Sequence, residues 1–214
     1  ADAMIERKEY LQRLYDWKDE QVIKVVTGIR RCGKSTLLKQ YQEKLLQSGI
    51  LPEQIISINF EDLEYEELLD YKALYRYIKE RLCEGKMTYI FLDEIQKVDS
   101  FEKAVDSIYI KDMTDIYITG SNAYMLSGDL ATLLTGRYVE ISMLPFSFRD
   151  YYTLTAPELS PDAAFADYMR YGGFPYLSTM KKTPEKAAVY LEGIYNTVII
   201  KDIEDRKMIR PSGK

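Results

Sequence analysis

Residues 27–36, TGIRRCGKST, have the composition and spacing of a loop that binds nucleotide phosphates. From Gly28 to Ser35 they follow the pattern G-x-x-x-x-G-K-[ST], in which backbone N–H groups and the start of the next helix surround the phosphate oxygens. Lys34 is placed to reach the β- and γ-phosphates, and the Ser35 hydroxyl can bind Mg²⁺. The alternative is a glycine turn that binds nothing. The apolar stretch before the loop and the helix-forming stretch after it disfavour this alternative.

The loop as a whole is predicted to contact the nucleotide. Its arginines either add positive charge that faces phosphates or a partner, or are solvated side chains at the loop apex. Its cysteine is either a redox-sensitive thiol or a small residue that fills space, and we favour the second interpretation. The predicted nucleotide-binding residues of the loop are Gly28, Ile29, Arg30, Arg31, Cys32, Gly33, Lys34, Ser35 and Thr36.

Two adjacent carboxylates, Asp93 and Glu94, follow the apolar stretch 89–92. A carboxylate at the end of a strand can hold Mg²⁺ together with Ser35 and water molecules. A second carboxylate directly after it can orient and deprotonate an attacking water, which predicts hydrolysis rather than transfer to an organic acceptor. We therefore predict Ser35 and Asp93 as metal ligands and Glu94 as the general base. An ordinary strand end that meets solvent is the alternative, since Asp and Glu are usually exposed.

Three more polar residues are candidates for the same chemistry. Ser121 and Asn122 follow the predicted strand 116–119, which places them at the carboxyl edge of a parallel sheet, near a γ-phosphate and the attacking water. Capping of the next helix explains them equally well. Arg137 lies between a predicted helix and a predicted strand. It either stabilises the transferring phosphoryl group or is a cation at a helix C-terminus.

The elements that position these residues alternate between strands and helices. Such alternation predicts an α/β fold of three layers, with a parallel sheet covered by helices on both faces. Strands are predicted at 22–26, 55–60, 89–92, 116–119 and 138–143. Helices are predicted at 6–17, 35–47, 101–110 and 129–135, and one further helix face is formed by Leu68, Tyr71, Tyr75, Ile78 and Leu82.

After residue 144 the pattern becomes helical, with helices predicted at 146–152, 161–171 and 184–205. We therefore place a domain boundary there. It separates a nucleotide-binding core at 4–144 from a helical lid region at 145–214, which we expect to be incomplete.

Composition excludes several classes of function. The 214 residues include no histidine, which removes His-based metal sites and Ser-His-Asp catalysis. A net charge of −5 provides no overall basic field toward nucleic acid or anionic lipid, although a local basic patch stays open. Two cysteines fit a reducing cytosol, no apolar run approaches the ~20 residues of a membrane span, and the first residues are too charged for a secretory signal. These features predict a cytoplasmic protein without membrane contact.

Several stretches together resemble the prokaryotic AAA-type ATP-binding proteins, in which an N-terminal ATPase domain precedes a C-terminal domain of poorly known function. The resemblance covers essentially the whole chain. It rests on GIRRCGKST, FLDEI, TGSN, the Gly136-Arg137 pair, PFSF at 145–148, YGGFP at 171–175 and KDIEDR at 201–206.

The resemblance implies a P-loop fold of the additional-strand, catalytic-glutamate type, with sheet order 5-1-4-3-2. By position, Lys34 and Ser35 are the Walker A pair, and Asp93 and Glu94 are the Walker B pair. Ser121 or Asn122 is similar to sensor 1. Pro175 is similar to a proline that abuts the nucleotide in related signalling ATPases.

Arg137 matches the family's arginine-finger position, which lies on the subunit edge and implies a homo-oligomer. No residue is a convincing sensor-2 arginine, and Arg206 and Arg210 are the candidates. The chain stops where the family continues, so the region that would contact a protein or nucleic-acid partner is expected to lie beyond it.

The predicted function is Mg²⁺-dependent ATP binding and hydrolysis that shifts the lid region and a downstream domain. Two other functions stay open. One is a switch that holds ATP or ADP and barely hydrolyses it. The other is a P-loop kinase for a small molecule, which Glu94 and the lack of an acceptor-binding insertion disfavour.

Overall fold

The computed structural model describes residues 6–121, 131–155, 158–174 and 183–196. In these ranges one parallel sheet contains β1 (Ile23–Gly28), β2 (Ile55–Asn59), β3 (Thr88–Asp93), β4 (Thr114–Ser121) and β5 (Tyr138–Ser142). The strand order is β2-β3-β4-β1-β5, and each neighbouring pair is parallel. This confirms the predicted fold class and the order 5-1-4-3-2.

Seven α-helices of at least eight residues lie in the described part of the chain. They are α1 (Lys8–Asp16), α2 (Lys34–Gln47), α3 (Tyr71–Arg81), α4 (Phe101–Tyr109), α5 (Phe148–Thr155), α6 (Pro161–Tyr171) and α7 (Pro184–Ile194). Short 3₁₀ helices occur at Pro52–Gln54, Leu63–Leu69 and Ile95–Lys97. Of the predicted helix at 129–135, residues 131–133 are helical and 129–130 lie outside the described ranges.

Side chains that alternate along each strand build two cores, one on each face of the sheet. In β3, Ile90 and Leu92 pack with residues of α3 and α4. Their neighbours Tyr89 and Phe91 point the other way, to residues of α1 and α2. Because both faces are covered, β1 and β3 are buried along their whole length.

The helix face predicted from Leu68 to Leu82 is wrong as one continuous helix. Asp70 has an extended backbone, with φ −80° and ψ 122°, and its carboxylate accepts a hydrogen bond from the Lys72 N–H. Aspartate is a favoured N-cap because its side chain satisfies a free N–H at the helix start. Leu68 therefore belongs to the preceding 3₁₀ helix, and Leu82 is the extended residue after α3.

A buried ion pair joins the starts of β1 and β4. Lys24 Nζ lies 2.5 Å from Asp115 Oδ1, and both side chains are fully buried. The Tyr117 hydroxyl and the Asp19 backbone N–H also donate to Asp115. Burial raises the pKa of the Asp115 carboxyl, while the Lys24 ammonium lowers it. These hydrogen bonds satisfy a charge that would be costly to bury alone.

Arg7 attaches the segment before α1 to the start of the helical region. Its guanidinium donates to the Leu144 carbonyl at 3.0 Å, pairs with Asp150 at 3.3 Å, and stacks against the rings of Tyr10 and Phe146. The domain boundary near residue 144 stays a prediction.

No helix in the described ranges has both the length and the apolar character that crossing a bilayer requires.

Candidate functional site

The loop between β1 and α2 has a shape that glycine permits. A Cβ atom on Gly28 would lie 2.5 Å from the Met143 carbonyl oxygen and 2.7 Å from Cys32 Sγ, too close for a real carbon atom. Gly33, the residue before α2, has a φ of 105°, which side chains disfavour. The two glycines of the motif are thus required by close packing at one end of the loop and by backbone conformation at the other.

Lys34 lies under this loop with its side chain buried. Its Nζ donates to the carbonyl oxygens of Gly28 at 2.8 Å and Ile29 at 2.9 Å. These carbonyl dipoles compensate the ammonium charge in a place where water does not reach it. An ammonium has three donors and rotates freely, so Lys34 can exchange these partners for phosphate oxygens.

Asp93 and Ser35, predicted as metal ligands, are in contact. Asp93 is the last residue of β3, and its carboxylate accepts hydrogen bonds from the hydroxyls of Ser35 and Thr119. Burial raises the pKa of the Asp93 carboxyl, and these two hydrogen bonds together with the Lys34 charge lower it. The hydroxyl and carboxylate oxygens are hard ligands of the kind that Mg²⁺ prefers.

Glu94 is held in an unusual backbone conformation next to this pair. Its φ of 59° and ψ of 46° are left-handed, which costs a residue with a side chain about 1–3 kcal/mol. Its N–H donates to the Thr119 hydroxyl at 2.9 Å, and its carboxylate accepts a hydrogen bond from the Gln96 amide. Glu94 is 7% exposed, so its carboxylate stays next to Asp93 and does not extend into solvent.

Ser121 ends β4 directly opposite Gly28 of β1. Its hydroxyl is buried and has no hydrogen-bond partner among the described residues. A buried polar group without a partner is uncommon and is expected where a ligand completes the site. Asn122 and Pro175, the other residues predicted near the nucleotide, lie outside the described residues, as do Arg206 and Arg210.

Arg137 lies where the strands begin, at the end of the sheet opposite to the phosphate loop. Its carbonyl oxygen accepts a hydrogen bond from the N–H of Ile23, the first residue of β1. The length of β1, about 17 Å at ~3.3 Å per residue, therefore separates its backbone from the loop. The exposed guanidinium stacks on the Tyr109 ring at 5.3 Å, near the Asp106 carboxylate. The structure thus does not bring Arg137 together with Lys34 of the same chain.

The remaining loop residues differ in their surroundings. Cys32 is fully buried against Gly28, and burial raises the pKa of its thiol, so it behaves as a small packing residue. Arg31 has a left-handed φ of 65°, and its guanidinium lies 5.8 Å from the Tyr190 ring of α7. Ile29 packs at the border of the core, and Arg30 and Thr36 are half-buried.

Sequence reasoning missed Thr119 and Gln96. Both bond to Glu94, and Thr119 also bonds to Asp93. The available signal was Thr119's place at the end of a predicted strand, where its side chain faces the same edge as the carboxylates.

The assembled residues fit a nucleoside triphosphate with Mg²⁺. The loop admits no Cβ at Gly28, a lysine lies beneath it, and a buried serine hydroxyl without a described partner ends the neighbouring strand. Oxygen donors from Ser35 and Asp93 suit a hard cation that keeps part of its water shell. The chemistry of these groups is therefore compatible with phosphates and a hard cation, and a second carboxylate, Glu94, is adjacent.

Comparison with known proteins gives similar proteins at the level of both sequence and fold. A family model described as "AAA domain" matches residues 20–152. An uncharacterized protein of Haemophilus influenzae is 41% identical over 214 residues, covering 98% of this chain and 53% of that protein. An uncharacterized protein of Methanocaldococcus jannaschii is 31% identical over 205 residues, covering 88% of this chain and 43% of that protein. The chain thus spans about half the length of these curated relatives.

Among solved structures, the Aeropyrum pernix ORC1 protein, determined in complex with DNA, has a similar fold. The TM-score is 0.52 with 15% sequence identity, over 97% of this chain and 66% of that one. At this level of identity the similarity concerns the fold alone.

Proposed function

This chain belongs to the AAA domain family of nucleotide-binding, ATPase-type P-loop domains, and from that premise we propose that it hydrolyses ATP in a Mg²⁺-dependent reaction. The observation that carries the proposal is the buried Glu94 carboxylate, placed directly after Asp93 at the edge where the phosphate loop lies. A carboxylate there can accept a proton from water that attacks the γ-phosphate.

The residues of the chain divide the work in the following way. Lys34 leaves the carbonyls of Gly28 and Ile29 and binds the β- and γ-phosphates. Ser121 donates its hydroxyl, which has no partner among the described residues, to a γ-phosphate oxygen, and Glu94 takes the proton of the attacking water. Mg²⁺, which Ser35 and Asp93 would hold, supplies positive charge against the phosphates when bound.

A direct experiment uses ATP labelled on the γ-phosphate. We expect labelled inorganic phosphate in the presence of Mg²⁺ and little release when EDTA removes the metal. A labelled organic product in the presence of small-molecule acceptors would instead identify a kinase. Nucleotide that stays bound without measurable release would identify a switch.

The switch is a second candidate because of one contact. The Glu94 carboxylate accepts a hydrogen bond from Gln96 on one of its two oxygens, and this bond resists rotation of the carboxylate toward an attacking water. Such a resting arrangement favours slow turnover. A switch keeps the same binding residues and differs in the rate alone.

The contact between Arg31 and Tyr190 supports a coupling of nucleotide state to the helical region. Arg31 belongs to the phosphate loop and Tyr190 to α7, so a loop that closes on phosphates would change this contact. We propose that the core at 4–144 binds the nucleotide and that the region at 145–214 responds as a lid. In the longer relatives, the lid would pass this change to the remaining half of the protein.

Replacing Lys34 with alanine is expected to weaken ATP binding by at least ~10-fold, because a charge-assisted contact contributes about 1.5–3 kcal/mol. Titration with a fluorescent ATP analogue measures the loss. Lys39→Ala removes an exposed lysine from the same helix and is expected to bind as the unchanged protein does. Equal affinity of Lys34→Ala and Lys39→Ala would contradict the assignment of the phosphate loop.

A further inference from the structure

We propose that Thr119 is a positioning residue that sets both site carboxylates through its single hydroxyl group. The inference rests on the proposed hydrolytic function, since it concerns the placement of the base Glu94. Thr119 touches neither nucleotide nor water in this scheme. It acts through Asp93 and Glu94, to which it is bonded.

The register of the sheet puts Thr119 beside the end of β3. Leu92 of β3 is opposite Ile118 of β4, so Asp93 and Thr119 come next along the two strands. Thr119 Oγ1 donates to Asp93 Oδ1 and accepts the Glu94 N–H at 2.9 Å. A hydroxyl has one donor and two acceptor positions, so it can make both bonds at once.

Burial makes this arrangement specific. Thr119 is fully buried, so water does not replace its hydroxyl as a partner of either group. The methyl group of threonine also limits rotation about χ1, which keeps the hydroxyl aimed at the end of β3. The proton donated to Asp93 leaves the oxygen lone pairs directed to the Glu94 N–H.

The bond to the Glu94 N–H is important because of the backbone at that residue. Glu94 has a left-handed φ of 59°, which a residue with a side chain adopts when its surroundings impose it. Thr119 holds the N–H on one side, and Gln96 holds the carboxylate on the other. Loss of the Thr119 hydroxyl would let the Glu94 backbone relax and move the carboxylate from the phosphates.

The test compares Thr119→Val, which keeps the shape and loses the hydroxyl, with Thr119→Ser, which keeps the hydroxyl. We expect Val to lower kcat by ~10–100-fold, since small misplacements of a reacting group cost up to about 10²-fold. Affinity for a non-hydrolysable ATP analogue should change less than about threefold, and Ser should restore most of kcat. Circular dichroism and thermal melting confirm that the variants fold.

Thr88→Val is the matched control. Thr88 is a buried strand threonine, and its hydroxyl accepts the Cys83 N–H at 2.8 Å at the other end of β3. The Thr88→Val substitution should lower the stability of the protein without a selective loss of kcat. If the unchanged protein is active and the Thr119→Val variant has the same kcat, the inference is overturned and the proposed function stands.

A second measurement does not depend on turnover. Amide hydrogen exchange at Glu94, followed by NMR, should be faster in Thr119→Val than in Thr119→Ser or the unchanged protein, because the N–H loses its acceptor. Equal exchange in Val and Ser would overturn the positioning role. If the unchanged protein releases no phosphate, the proposed function fails, and exchange at Glu94 still decides the role of Thr119.

Discussion

Glu94→Gln is expected to bind Mg-ATP and to hydrolyse it ~10²–10⁴-fold more slowly, the range for loss of a general base. The new amide has the shape of the carboxylate and can still accept the hydrogen bond that Gln96 donates. It cannot take a proton from water. The backbone contact to Thr119 is unchanged, so the turn should keep its conformation. Phosphate release under saturating ATP measures the rate, and a fluorescent analogue measures binding.

The matched control for this variant is Glu80→Gln. Glu80 is an exposed glutamate on α3, 73% exposed, with a weak contact to Arg81. It loses the same charge and should hydrolyse ATP at the unchanged rate. Full turnover by Glu94→Gln would show that Glu94 is not the base, and the hydrolase proposal would lose its main support.

Arg137→Ala is expected to bind ATP and to lose hydrolysis by ~10³–10⁵-fold, the effect of removing an arginine finger. Arg137 is exposed and lies at the edge of the sheet opposite to its own phosphate loop. Its side chain cannot cross the length of β1 to reach the phosphates. We therefore propose that Arg137 acts on ATP held by a neighbouring copy of the chain.

Mixing two inactive variants tests this directly. A Lys34→Ala chain has no working phosphate loop but keeps Arg137, and an Arg137→Ala chain has the reverse. Together they rebuild a working interface if Arg137 acts between chains. We expect the mixture to exceed the sum of the separate variants, with a rate that rises with total protein concentration.

Arg81→Ala is the control for a plain surface role. The Arg81 guanidinium stacks closely on the Tyr77 ring at 3.5 Å, and the Arg137 guanidinium lies over the Tyr109 ring at 5.3 Å. If Arg137 does no more than pack on its tyrosine, both variants will behave alike. A mixture no better than the sum of its parts, under conditions where light scattering shows association, would contradict the action between chains.

The fold was largely predictable because its signals are local. Apolar stretches such as 89–92 marked the strands, and the alternation with helices indicated a parallel sheet. The order of the strands came from the resemblance to a family rather than from periodicity. The break at Asp70 was missed because the apolar spacing from Leu68 to Leu82 continues across this residue. Asp70 in fact caps the start of a new helix.

The site was predictable where its functional residues are adjacent in the sequence, as in the phosphate loop and the Asp93-Glu94 pair. Contacts between distant residues were not. Thr119 lies 26 residues from Asp93 in the chain, and nothing in its local pattern shows that its hydroxyl bonds there. The register of β3 and β4, which brings the two together, becomes known when the strands are paired.

The Lys24–Asp115 pair joins parts of the chain that leave the ribosome at very different times. Among the described strands β1 pairs with β4 and β5, and both of these partners are made after residue 113. At ~5–20 residues per second, the phosphate loop waits roughly 5–20 s for the end of β4. An early pairing of β1 elsewhere would bury the Lys24 charge without Asp115, which is costly. We therefore expect a growing chain to be unable to bind ATP until β4 has been made and has paired with β1.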